Sequence, residues 1–169
     1  MVHVPKMPDL PMRGCLLFVS LSALILLTQC AERDPVRRFA SDQVSTNTSD
    51  ADTAAALISQ YRVAHGLSPV SVDPRLTEAA KTQARTVAEA GSLSHGRFSS
   101  RMGAFGINGH AAENLSAGSR TVDRVIARWA SSPGHNENLL LPQARRIGLA
   151  RADSPGLGYG RYWALVLAD

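Results

Sequence analysis

Cysteine is almost absent from this sequence. Cys15 and Cys30 are its only two cysteines, and both precede the part of the chain with regular apolar periodicity. Small domains held by disulfides need several cysteines at regular spacings, so that class of protein is excluded. Because about 120 residues can bury a core of their own, the folded part is expected to be stabilised by apolar packing alone.

Long runs of like charge are also absent. The formal net charge is +4, charged residues make up 19% of the chain, and no basic run exceeds two residues. Nucleic-acid binding requires clustered positive charge, so we exclude nucleic acid as a partner. The motifs HExxH, CxxC and GxSxG and the glycine-rich phosphate loop are missing as well. The most recognisable classes of hydrolase, redox protein and nucleotide-binding protein therefore have no signature here.

The first 30 residues have the pattern of an export signal. Basic residues precede the uncharged run CLLFVSLSALILLT at residues 15–28, which is shorter than the ~20 apolar residues of a membrane span. The LLTQC that follows resembles a bacterial lipoprotein signal, although Gln29 occupies the place of a small residue. We predict a signal peptide at residues 1–30. Cys30 is then a lipid anchor at the cell envelope, or it is incidental to a plain cleaved signal or an uncleaved anchor.

The remaining chain divides into a polar segment and a domain with mixed periodicity. Residues 31–50 lack apolar periodicity, which predicts a flexible linker before a domain at residues 51–169. Helices packed on a small sheet predict the α+β class. The predicted elements are helices at 51–65, 74–90 and 121–130, an irregular stretch at 92–118, and an antiparallel hairpin of RRIGLARA and RYWALVLA around the turn DSPGLGYG.

Three polar segments stand out from this scaffold. SSPGHNENLL at residues 131–140 breaks the third helix after Trp129 and contains His135, while SLSH ends at His95 and AAENLSAG contains Glu113. Turn chemistry explains the Pro-Gly break, but it gives no reason for a histidine there. These residues lie too far apart to share one helix face, so their spacing alone does not predict a common site.

The order of these motifs resembles the CAP superfamily, which includes cysteine-rich secretory proteins and plant pathogenesis-related proteins. A helix is followed by SH, then ENL, then a helix ending in W-x-x-S-P-G-H-x-x-N, then IGLA and a terminal aromatic strand. The resemblance covers about residues 53–168, and the chain looks like the short bacterial exported kind. It implies a three-layer α-β-α sandwich with a small, mainly antiparallel sheet, and a cleft lined by two histidines and two acidic residues.

The resemblance assigns these cleft positions residue by residue. His95 and His135 match the two histidines, and Glu113 matches the first acid. Ser132 occupies the place of the second acid, which puts in doubt any mechanism that needs two carboxylates, and Glu137 is a nearby substitute. Family members hold divalent metal through the paired histidines, so the resemblance implies Zn²⁺ or another divalent metal on His95 and His135, with Glu113. The alternative is a hydrogen-bonded polar cluster without metal.

Other polar residues receive simpler interpretations. Asparagine amides readily bond nearby backbone, so Asn114 and Asn138 are predicted to brace loops around the cleft. Arg101 is expected to pair with an acid, to cover apolar surface or to lie in solvent. His65 is expected at a helix end, and His110 on the surface.

The functional prediction is a monomeric binding or interaction module at the cell envelope rather than an enzyme. Its expected ligand is a metal ion, a lipid or cell-wall material, and it contacts the membrane only through Cys30, if that residue is acylated. One alternative is a metal-assisted hydrolase, a peptidase or an esterase, in which Glu113 is the general base. Another is a structural domain with an inert cleft. The fold itself fixes no reaction.

Overall fold

The structure is a computed structural model that describes residues 43–156 and 158–169. The predicted signal peptide, Cys30 and residues 31–42 of the predicted linker lie outside the described residues. Within the described part, no helix is long and apolar enough to cross a membrane. In chain order, the strands and helices are β1 (Ser45–Asn47), α1 (Ala51–Ala64), β2 (Ser71–Val72), α2 (Pro74–Ala90), α3 (Phe98–Ala104), β3 (Ala111–Ala117), α4 (Val122–Ala130), α5 (Pro133–Leu139), β4 (Arg146–Asp153) and β5 (Arg161–Ala168).

These strands form one mainly antiparallel sheet. β4 and β5 are the predicted hairpin, and β3 pairs antiparallel with the other edge of β5, with Glu113 opposite Val166. β1 and β2 both pair with the remaining edge of β4, β1 antiparallel and β2 parallel. β3 is therefore an edge strand, and loops from other parts of the chain can reach the side chains along it.

Helices cover both faces of the sheet. Successive residues of a strand point to opposite faces, and β5 follows this rule over its whole length. Tyr162, Ala164 and Val166 pack in the core beneath α2, while Trp163 and Leu165 pack in the core with α1 and α4. This arrangement is the three-layer α-β-α sandwich implied by the resemblance.

The longest helix, α2, lies unusually close to the sheet. Asp73 caps its start, with a carboxylate oxygen that accepts from two backbone N–H groups, and Pro74 is its first residue. It ends at Gly91, whose φ of 64° is left-handed, as predicted. A Cβ at Gly148 would lie 2.0 Å from the carbonyl carbon of Leu76, so only glycine permits β4 to pass this helix.

Three predicted boundaries are wrong, each for a physical reason. β1 lies inside the predicted linker, because a three-residue edge strand is held through its backbone and shows no apolar pattern. The stretch 92–118 is not irregular but contains α3 and β3, a strand whose last five residues are all buried. The segment 131–140 forms the helix α5, because Pro133 has no N–H to lose at a first helical position.

Candidate functional site

Glu113 is a buried carboxylate on the edge strand β3, with its side chain only 2% exposed. Its Oε1 lies 2.9 Å from Nδ1 of His95, and its Oε2 accepts a hydrogen bond from Nη2 of Arg101. A buried charge is costly unless it is paired and hydrogen-bonded, and these two contacts engage both oxygens. Glu113 therefore joins the loop of His95 to helix α3.

His95 lies on the loop between α2 and α3, with 57% of its side chain exposed. The loop is anchored where Gln83 Nε2 donates to the carbonyl oxygen of Ser94 at 2.6 Å. An ionised carboxylate only accepts hydrogen bonds, so the neutral imidazole must carry its proton on Nδ1, toward Glu113. Its Nε2 then keeps a lone pair that is free to bind a ligand.

His135 has a different kind of partner. Its imidazole is half-buried on α5, and Nδ1 lies 2.9 Å from Oγ of Ser132. Ser132 is the N-cap residue of α5, yet its hydroxyl makes no cap hydrogen bond. A hydroxyl can donate or accept, so Ser132 contacts the imidazole without fixing which nitrogen carries the proton.

Two asparagines fix α5 to the strand that carries Glu113. Nδ2 of Asn114 donates to the carbonyl oxygen of His135 at 2.9 Å. Nδ2 of Asn138 lies 2.9 Å from Oδ1 of Asn114 and 3.2 Å from the carbonyl oxygen of Glu113. These side chains connect separate elements over more than 20 positions of sequence, so they hold His135 at the edge of the sheet rather than bracing a local loop.

The structure brings His95, Glu113 and His135 to the same part of β3, but not as three ligands of one ion. Across residues 43–156 and 158–169, no group of three or more His, Cys, Asp or Glu side chains could hold a metal ion. The carboxylate of Glu113 contacts Nδ1 of His95, so it is not on the Nε2 side of the ring, where a metal ion would bind. The expected three-ligand set is therefore not formed, because the carboxylate of Glu113 contacts His95 at Nδ1.

The other polar residues that the sequence singled out lie either in the site or away from it. Arg101 is in the site, with its guanidinium carbon 5.6 Å from the centroid of Phe98 and an N–H on Glu113. Glu137 is exposed and makes no hydrogen bond or ion pair with a described residue, so it does not replace the second acid. His65 and His110 lie at other exposed positions, bonded to Tyr61 and next to Asp169.

Arg128 belongs to this region and was missed by sequence reasoning. Its Nη1 donates to the carbonyl oxygen of Ala117 at 3.1 Å, which places the end of α4 across the end of β3. Burial lowers the pKa of His135, and the positive charges of His95 and Arg128 lower it further. No local pattern marks Arg128, because its role depends on how α4 crosses the sheet.

The pH response of His135 follows from these causes. A titration of His135 by NMR is expected to have a midpoint below the ordinary value of about 6.5, and Arg128→Gln is expected to raise that midpoint. The unfolded chain then binds this proton more readily, so the free energy of unfolding decreases as the pH falls through about 6.5 and below. Arg124→Gln, on an exposed part of the same helix, is the control. A midpoint above the ordinary value would contradict this description of the site.

This chain is similar to known sequences over most of its described part. The model of the CAP family, described as the cysteine-rich secretory protein family, matches residues 55–167. The "Uncharacterized protein YkwD" of Bacillus subtilis (strain 168) is 27% identical over 127 residues, which cover 68% of this chain and 49% of that protein. The chain therefore spans about half the length of the curated relative that it matches.

Solved structures share the fold. An outer surface protein of Borrelia burgdorferi aligns with a TM-score of 0.62 and 21% identity over 69% of this chain and 90% of that chain. An extracellular protein containing a SCP domain from Bacillus anthracis str. Ames aligns with a TM-score of 0.61 and 19% identity, over 70% of this chain and 40% of that chain. At these identities the likeness concerns the fold, and it agrees with the α-β-α sandwich.

Proposed function

The chain belongs to the CAP family, the cysteine-rich secretory protein family, and we propose that it is a binding module of the cell envelope rather than a hydrolase. The observation that carries this proposal is the engagement of both oxygens of Glu113 by His95 and Arg101. Because both oxygens are occupied by these contacts, neither is available to accept a proton from a water molecule or a substrate, so Glu113 is a poor general base. Ser132, at the position of the second acid, supplies no carboxylate either.

A divalent metal ion would be held by His95 and His135. Neutral imidazoles suit zinc, and a carboxylate on the far nitrogen is the outer partner that such a ligand usually has. His95 has that partner in Glu113, whereas His135 has only the hydroxyl of Ser132. With two protein ligands and one weak outer partner, binding is expected to be weak. A bound ion would supply a Lewis-acidic centre that accepts a lone pair from a ligand.

The envelope location is part of the proposal and rests on the sequence. Residues 1–30 have the export pattern, and Cys30 has the lipoprotein context. In one form of the proposal Cys30 carries a lipid that anchors the domain to the membrane, and in the other the domain is secreted. The ligand of the cleft in either form is a metal ion, a lipid or cell-wall material.

Zinc titration of the purified protein by calorimetry tests the binding proposal. His95→Ala and His135→Ala are each expected to weaken zinc binding by more than about tenfold. Loss of a residue that only orients a metal ligand already costs at least about tenfold in affinity, and loss of the ligand itself should cost more. The matched controls are His65→Ala and His110→Ala, which remove exposed imidazoles outside the site and should leave the affinity unchanged. A variant lacking both site histidines should bind no zinc.

The same proteins separate the proposal from its two alternatives. Incubation with a panel of peptides and esters is expected to give no turnover above that of the variant lacking both site histidines. Turnover that disappears in that variant would favour the metal-assisted hydrolase. Zinc affinity that is unchanged in all the variants, without turnover, would leave a structural domain with an inert cleft.

A further inference from the structure

A second pocket, with a volume of about 510 Å³, lies at the end of β3 and contains neither site histidine. Its size falls within the range of about 300–1,000 Å³ that is usual for small-molecule sites. The turn after α2, the end of β3, helix α4 and the turn before β5 all contribute to it. The main side chains that line it are Leu93, Arg128 and Tyr159.

Two exposed large hydrophobic residues lie on the wall of this pocket. Leu93 is 46% exposed and Tyr159 is 66% exposed, and the only other large hydrophobic residue of the described chain with such exposure is Val63. Scattered exposed hydrophobic residues are ordinary, but these two lie together on the wall of one pocket. The ring of Tyr159 is positioned by an edge-on contact with Tyr162, at 6.2 Å between centroids.

Arg128 gives the pocket a positive charge. It is the one charged side chain among the described residues that line the pocket. Its Nη1 is oriented by the carbonyl oxygen of Ala117, and its other N–H groups make no hydrogen bond to a described residue. A guanidinium with free N–H groups is well suited to bind a carboxylate through two parallel hydrogen bonds.

We propose that this pocket binds a small sugar acid, with the carboxylate on Arg128 and one face of the ring against Tyr159 and Leu93. A sugar ring has an apolar face and a rim of hydroxyls. That combination matches two apolar side chains beside the exposed hydroxyl of Ser92 and the N–H groups of Arg128 in the same pocket. An acyl chain would leave these polar groups without partners, and would gain more from a wholly apolar slot. The site does not depend on metal binding by the histidines.

Ligand titration followed by NMR tests this proposal with three probes. Glucuronate is expected to bind and to shift the amide signals of Leu93, Gly118 and Tyr159. Glucose has the same ring without the acid and should bind at least tenfold more weakly. Octanoate has the acid without the ring and should also bind at least tenfold more weakly. Equal affinity for glucuronate and glucose, preference for octanoate, or no response to glucuronate up to its solubility would each overturn the proposal.

Substitutions in the pocket test which side chains contribute to the affinity for glucuronate. Arg128→Gln and Tyr159→Ala are each expected to weaken glucuronate binding at least tenfold, with an unchanged thermal midpoint as evidence of folding. Arg124→Gln is the matched control on the same helix and should leave binding unchanged. Undiminished binding by Arg128→Gln would overturn the proposal. Because Arg128 also bonds to β3, a variant that does not fold is replaced by Arg128→Lys, which should weaken binding while retaining charge.

Discussion

Arg62→Leu is expected to lower the free energy of unfolding by at least about 3 kcal/mol, because it leaves several buried acceptors without partners. Arg62 is on α1 and is 0% exposed. Its guanidinium donates to four carbonyl oxygens at 2.8–3.0 Å, those of Ser68, Leu139, Leu141 and Ala144. It thereby closes the end of α1 onto the connection between α5 and β4, and leucine cannot replace any of these bonds.

Chemical denaturation with matched variants measures this loss. Arg62→Lys keeps a charge but lacks the planar fork that reaches all four oxygens, so we expect an intermediate loss. Arg124→Leu removes an exposed arginine and should change the free energy of unfolding by less than about 0.5 kcal/mol. If Arg62→Leu unfolded with a loss below about 1 kcal/mol, the carbonyls would not depend on this side chain as described.

Glu113→Gln is expected to weaken zinc binding by about 10- to 100-fold, although the residue is not a ligand. The amide has nearly the same shape, but it carries no charge and can present only one oxygen to its two donors, His95 and Arg101. His95 then loses the carboxylate that selects its tautomer. We also expect a loss of about 1–3 kcal/mol in the free energy of unfolding, because a buried donor is left without its acceptor.

Glu137→Gln is the control for this substitution. It removes an acid from α5, near His135 in sequence, but Glu137 is exposed and makes no hydrogen bond or ion pair with a described residue. Zinc affinity and stability should both stay at the level of the unchanged protein. An unchanged zinc affinity in Glu113→Gln would mean that Glu113 does not orient His95.

The elements that could be predicted from the sequence are those whose signals are local. Asp73, Pro74 and Gly91 delimit α2 through their own conformational preferences, and the apolar residues of α4 and the β4–β5 hairpin repeat with helical and strand periods. β1 and β3 have no such signal. Their pairing partners lie far along the chain, and both faces of β3 are buried, so its polar and apolar residues do not alternate.

For the candidate site, the resemblance could nominate residues, but it could not predict the contacts that they make. The resemblance selected His95, Glu113 and His135, and the structure places Glu113 on the far nitrogen of His95. The contact of Ser132 with His135 is a three-residue step on a helix, and the Pro-Gly pair obscured that helix. The role of Arg101 depends on α3, which has no clear periodicity of its own, so pairing with an acid was one of several open choices, and the structure identifies that acid as Glu113.

The central claim is that Glu113 orients the imidazole of His95 so that its Nε2 can bind one ligand together with Nε2 of His135. NMR of the imidazole nitrogens during a zinc titration tests this claim directly. We predict that Nε2 of His95 and Nε2 of His135 shift at the same zinc equivalents, while Nδ1 of His95 keeps its proton and His65 and His110 do not respond. Coordination through Nδ1 of His95, or responses of the two site histidines at different zinc equivalents, would contradict the claim.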